Sequence, residues 1–172
     1  MSKLSAITIG TLLGAAALAV PSVAQGSADI ALCAPEGTPA ILVHVVGLRS
    51  TSGNIRVQAY GGDPARYFDK GTYLKRIDLP AGAARQVCVP LPAPGTYAVS
   101  VRHDTNVNGK SDFKDGGGMS GNPRVALLDL IFKRKPDPRK VQIRVGNGVT
   151  QVNIVMNYVQ GGAFAPLPTA AH

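Results

Sequence analysis

Past its first twenty residues, the 172-residue chain has no apolar run long enough to cross a membrane, so its body is expected to carry no helical anchor. It contains no Gly-x-Ser-x-Gly elbow and no His-Glu-x-x-His pair, and so lacks two common sequence signs of hydrolytic chemistry. No internal repeat is evident. Cysteine is scarce, with only Cys33 and Cys88. Acidic residues are few as well: 10 stand against 18 basic ones, a formal charge of +8. Such an excess favours anionic surroundings.

The chain begins with Lys3, an apolar stretch from Leu4 to Val20, then Pro21 and Ser22-Val23-Ala24. This order resembles a secretory signal peptide, so residues 1–24 are expected to be removed after Ala24. An exported chain of about 148 residues follows, long enough for one domain with a real core. Its charge is +7, with 17 basic residues against 10 acidic. Outside the cytoplasm, in periplasm or medium, the anions on offer are lipid headgroups and envelope glycans; nucleic acid is not expected as a partner. An oxidising compartment makes a Cys33–Cys88 disulfide the default. Closing so long a loop is worth about 4 kcal/mol in the chain-entropy model.

After the segment 25–39, short Val- and Ile-rich runs of period two are separated by Gly, Pro and Asn, the pattern of strands. Residues 41–48 and 54–60 read as a hairpin joined at Ser50-Thr51-Ser52-Gly53. Asp63-Pro64 and Gly71 frame a short helix or structured loop. Residues 72–79 and 85–91 read as further strands. Thr96 to His103 places Tyr97, Val99, Val101 and His103 on one face. Val125 to Phe132 suggests a strand or short packed segment. Gly146-Asn147-Gly148 signals a second hairpin between alternating runs. The tail 161–172, rich in Pro and Ala, is expected to be disordered. About seven strands with little helix, spanning residues 40–160, indicate an all-β antiparallel sandwich.

The chemistry-bearing stretch is the loop 104–115. Asp104, Asn106 and Asn108 occupy its first, third and fifth positions, Gly109 the sixth, Asp112 the ninth and Asp115 the twelfth. This is the ligand spacing of a calcium loop, with Lys110 contributing only its backbone carbonyl. Oxygen ligands select a hard cation, and a short twelfth carboxylate predicts weak affinity, about 10⁻⁴ to 10⁻³ M. A strand precedes Asp104, so the loop is not part of a helix–loop–helix unit. The alternative is an Asx-rich turn closed by its own backbone.

Gly47-Leu48 with Gly53-Asn54-Ile55-Arg56-Val57, then Leu91-Pro92-Ala93-Pro94-Gly95-Thr96-Tyr97-Ala98-Val99, then His103-Asp104-Thr105-Asn106-Val107-Asn108-Gly109-Lys110-Ser111-Asp112, resemble the bacterial exported "domain of unknown function 2141" family. The resemblance runs from about Ala40 to Tyr158. Gly118-Met119-Ser120-Gly121-Asn122-Pro123 looks like a degenerate form of the family's Gly-Phe-Ser-Asn segment, with the preceding stretch shortened. It implies an immunoglobulin-like or prealbumin-like sandwich and brings no known activity.

Three functions are weighed. The favoured one is a non-enzymatic structural or binding module of the envelope, its loop ordered by calcium, with a protein or glycan partner. A second is a glycan- or lipid-surface binder using Lys133, Arg134, Lys135, Arg139 and Lys140. The third is a metal-dependent hydrolase using His44, His103, Asp104 or Asp112, with His103 beside Asp104 as an acid–base pair.

Overall fold

A computed structural model describes residues 33–168. The signal-like segment 1–24, most of the segment that follows it, and residues 169–172 of the tail lie outside the described residues. In chain order the strands are β1 (Ala40–Val46), β2 (Asn54–Tyr60), β3 (Lys75–Pro80), β4 (Gln86–Pro90) and β5 (Gly95–Asp104). They continue with β6 (Gly116–Met119), β7 (Ile143–Val145), β8 (Val149–Val155), β9 (Asn157–Gln160) and β10 (Ala163–Pro166). A short helix, α1 (Leu127–Ile131), lies between β6 and β7.

Two open sheets face each other. The smaller has the order β4-β1-β8 and the larger β10-β9-β6-β5-β2-β3, with β7 paired to β5. The architecture is the expected all-β sandwich. The ten strands among the described residues exceed the expected seven, and β1 and β8 run parallel where antiparallel pairing was expected throughout.

β5 organises the larger sheet. Most of its length lies along β2, while its start pairs with β7 and its end with β6. Tyr97, Val99, Val101 and His103 point inward, as their alternation predicts; the first three meet Ile41, Val43, Val87 and Val89 of the smaller sheet in one core. Val99 and Val101 are each worth about 1.5 to 3 kcal/mol of burial. A second, smaller cluster on the outer face joins Tyr60, Tyr67, Ala98 and Val141. There the turn Pro64–Arg66, capped by Asp63 accepting from the Ala65 N–H, carries Phe68 edge-on against Tyr60.

Cys33 and Cys88 are bonded, with Cα atoms 5.2 Å apart. Leu42 stands opposite Cys88 in register, so the two side chains share the outer face of the small sheet. The bond brings Cys33 over that face, and Leu42 is buried although it points away from the main core.

Four local expectations give way. Neither expected hairpin forms: β1 and β2 lie in different sheets, and so do β7 and β8. A tight Asn-Gly turn needs positive φ at both central residues, and only Gly148 has it. The apolar run 125–132 forms α1, with no buried residue, instead of a strand or packed segment. The tail read as disordered begins with β10, paired along β9.

Candidate functional site

β5 delivers the loop. Alternation turns Asp104 away from the core, onto the face that also carries Arg102. The Arg102 guanidinium donates from Nη2 to Asp104 Oδ2 at 3.1 Å. From Nη1 it donates to the Gly109 carbonyl at 3.3 Å and Ser111 Oγ at 3.2 Å. An internal cation thus closes one side of the loop. The Asp104 carboxylate also accepts from the backbone N–H of Asn108 at 3.2 Å and of Gly109 at 2.9 Å. These bonds hold Val107 at φ 56°, a left-handed conformation costing a β-branched residue about 1 to 2 kcal/mol.

The other side is built on Asp112. Its Oδ2 accepts from Nδ2 of Asn106 and of Asn108, each at 2.9 Å, and its Oδ1 accepts from the Lys114 N–H at 2.8 Å. The bond from Asn106, then those from Lys114 and Asn108, hold its carboxyl below the ordinary aspartate value. Asp115 is buried; it accepts from the Thr105 N–H at 3.2 Å and the Asp112 N–H at 3.4 Å. Burial pushes its carboxyl up, and the charges of Asp112 and Asp104 add to the rise.

Of the predicted ligands, Asp104, Asn106, Asn108, Asp112 and Asp115 therefore belong to one hydrogen-bonded loop. Lys110 is exposed and donates its N–H to Asn108 Oδ1 at 2.8 Å. The three carboxylates do not converge on a common point. Among the described residues no three of His, Cys, Asp and Glu are grouped so as to hold a metal ion. The loop is closed by its own Asx turns and by Arg102.

Behind the loop lies a buried network. His103 Nε2 is 2.7 Å from the Ser52 carbonyl, which only accepts, so the proton sits on Nε2. Its Nδ1 then accepts from the Tyr158 hydroxyl at 2.7 Å, and that oxygen accepts from the Arg49 N–H at 3.0 Å. The Arg49 guanidinium lies 4.3 Å above the Tyr158 ring. His103 and Asp104 point to opposite faces of the strand, so they do not form the acid–base pair that the hydrolase reading would use. His44 is engaged elsewhere, 2.8 Å from Gln151 on the smaller sheet.

Beside the loop a cleft of about 340 Å³ is lined by Asp112, Phe113, Gly117, Leu130 and Phe164, with Arg102 at its wall. None of the basic residues of segment 133–140 lines it. Lys135 bridges to Asp69 at 2.9 Å and the Ala65 carbonyl, Arg139 lies 3.5 Å from Asp137, and Arg134 lies 3.8 Å from Asp129. Lys133 and Lys140 are exposed.

Arg102 and Tyr158 were not singled out from the sequence. Arg102 had a legible signal, standing two positions before Asp104 in a strand and hence on its face. Tyr158 had none, because its partner His103 is 55 residues away.

A bacterial family described as "Uncharacterized protein conserved in bacteria (DUF2141)" matches this chain over residues 43–153. That span includes the loop 104–115 and most of both sheets. No curated protein and no solved structure matches the chain.

Proposed function

The chain belongs to this uncharacterised bacterial family, DUF2141, and from that premise we propose that it is an exported, non-enzymatic β-sandwich module of the cell envelope whose loop 104–115 takes Ca²⁺ weakly. The observation carrying the metal is the meeting of Asn106 and Asn108 on one oxygen of Asp112. Rotating both amides exchanges two N–H donors for two carbonyl oxygens. Three oxygens then face one point, an arrangement a hard cation stabilises. Asp115 adds a motive, since its raised carboxyl reflects burial with too little positive charge at that end of the loop. Arg102 already neutralises Asp104, which keeps any affinity low.

Export is supported by the Cys33–Cys88 bond, of a kind that persists in oxidising compartments. The non-enzymatic reading is supported by His103, buried with both ring nitrogens bonded and thus out of reach of a substrate.

The test is thermal unfolding and calorimetry in EDTA and in millimolar Ca²⁺. With a Kd near 1 mM, 10 mM Ca²⁺ should stabilise by about 1.4 kcal/mol, raising Tm by about 3 to 6 °C. Asp112→Ala should abolish the rise while leaving the fold intact, because Asp112 is exposed. Equal stability of the parent chain in both conditions, with no heat of binding, would leave a self-closed Asx turn and no metal site.

A further inference from the structure

The segment between β6 and β7 is the most exposed apolar feature among the described residues. Leu128, Leu130, Ile131 and Phe132 are 60%, 37%, 50% and 63% exposed. At about 100° per residue these four side chains lie within about 200° of the circumference, and Asp129 occupies the remaining side. An exposed apolar face of this width suits the boundary of an apolar medium. Its backbone is prepared for one: the N–H groups of Phe132, Lys133 and Arg134 donate to the carbonyls of Leu128, Leu130 and Asp129. The helix's one acid, Asp129, is tied to the Ala126 N–H at 3.1 Å and lies 3.8 Å from Arg134.

The collar of this tip is basic. From Arg124 to Lys140 there are six basic residues; Arg134, Lys135 and Arg139 are paired with Asp129, Asp69 and Asp137, while Lys133 and Lys140 are exposed. Lys133 takes φ 52°, a sharp turn that ends the apolar run and starts the cationic one. Arg134 stacks 5.3 Å from the Phe132 ring, and Arg139 is 88% exposed at its side chain.

We propose that α1 and its flanking cations dock this protein on an anionic phospholipid surface, the apolar tip entering the interface and the basic collar meeting the phosphates. Apolar insertion and cation–phosphate attraction are the two signals that together give stable peripheral attachment. Leu130 and Ile131 also line the cleft beside the loop, but the attachment does not depend on the loop's metal.

The sequence has no tryptophan, so a Phe132→Trp substitution in the full chain reports on the tip alone, even if the first residues themselves bind lipid. In EDTA, vesicles of phosphatidylglycerol and phosphatidylcholine should shift its emission to the blue and protect it from aqueous quencher. A Val46→Trp reporter on the smaller sheet should stay quenchable. Lys133→Gln and Arg139→Gln in the Phe132→Trp background should each weaken the response about fivefold. The proposal fails if the Phe132→Trp reporter stays quenchable on anionic vesicles. It also fails if phosphatidylcholine alone gives the same shift, or if only an acidic soluble protein produces it. Because no calcium is present, failure here leaves the loop reading untouched, and failure of the loop reading leaves this one standing.

Discussion

Gly116→Ala is the sharpest probe of how the loop is anchored. β6 is a run of three glycines and Met119, and alternation sends Gly116 and Gly118 toward the core and Gly117 outward. A Cβ on Gly116 would stand 2.3 Å from Tyr158 Cε1 and 2.6 Å from its Cζ. The ring is poorly able to retreat. Its hydroxyl is held by His103 and Arg49, and Arg49 covers one face. Either the strand shifts, or the ring swings and breaks buried hydrogen bonds.

Overpacking of this kind costs about 1 to 3 kcal/mol, and each buried hydrogen bond lost adds about 1 kcal/mol. A total of about 3 kcal/mol lowers Tm by about 6 to 12 °C for a domain of this size. The control is the next residue. A Cβ on Gly117 meets only Phe164 Cζ at 3.4 Å and the Val101 carbonyl at 3.9 Å, ordinary contacts, so Gly117→Ala should be neutral within about 1 kcal/mol. Urea and thermal unfolding of both variants, followed by circular dichroism, decide the matter. Equal losses would mean that β6 is weakened by Ala in general. A Gly116→Ala variant as stable as the parent would refute the clamp altogether.

Reducing the Cys33–Cys88 bond, or replacing Cys88 by Ser, should lower stability by about 4 kcal/mol, read as a shift of the urea midpoint without reduction of helix or strand signal in the folded baseline. An unchanged midpoint would show that the N-terminal segment packs without the bond. Carboxyl chemical shifts followed across pH should show Asp115 titrating above Asp112. Asp112, depressed, contributes stability that is present above its unfolded value and lost as pH falls through its folded value. Asp115, raised, is relieved by protonation, so its contribution rises as pH falls through its folded value toward the unfolded one. The reverse order of titration would contradict the loop's hydrogen bonding.

What could be read from the sequence was whatever depends on near neighbours. Period-two alternation in Tyr97, Val99, Val101 and His103 correctly gave the inner face of β5, and Asp63-Pro64 gave its turn. The choice of sheet could not be read this way. Gly146-Asn147-Gly148 carries a hairpin signal, yet β7 fits beside Gly95 to Tyr97 while β8 lies along β1, because each pairing is decided by partners far off in the chain. The run 125–132 shows a different limit. Its residue types gave an apolar segment, but how far it is buried depends on the residues it meets across the cleft, Phe113 and Phe164 among them, which are far off in the chain. For the loop, the oxygen spacing was legible and the cation closing it was not. The ligand pattern counts side chains within 104–115 and stops two residues short of Arg102.

The loop's ends are fixed more firmly than its middle, and this bears on what a ligand could do there. At its start, Gly53 lies so close that a Cβ would be 2.3 Å from the Asp104 carbonyl, while His103 reaches under it to Ser52. At its end, Asp115 accepts from Thr105 and Gly116 sits beneath Tyr158. Binding therefore has only the residues between Thr105 and Lys114 left to order, and Arg102, Asp104 and Asp112 already hold much of that backbone. Ordering entropy of about 1 to 2 kcal/mol per residue is accordingly not a large obstacle to a ligand. The opposing term is the set of Asx bonds that must break when Asn106 and Asn108 turn their oxygens inward, each worth about 1 kcal/mol. Turning them also gives up the two Nδ2 bonds to Asp112, so a cation displaces four hydrogen bonds. This cost, far larger than that of ordering, argues for millimolar rather than micromolar affinity, independently of the short twelfth carboxylate.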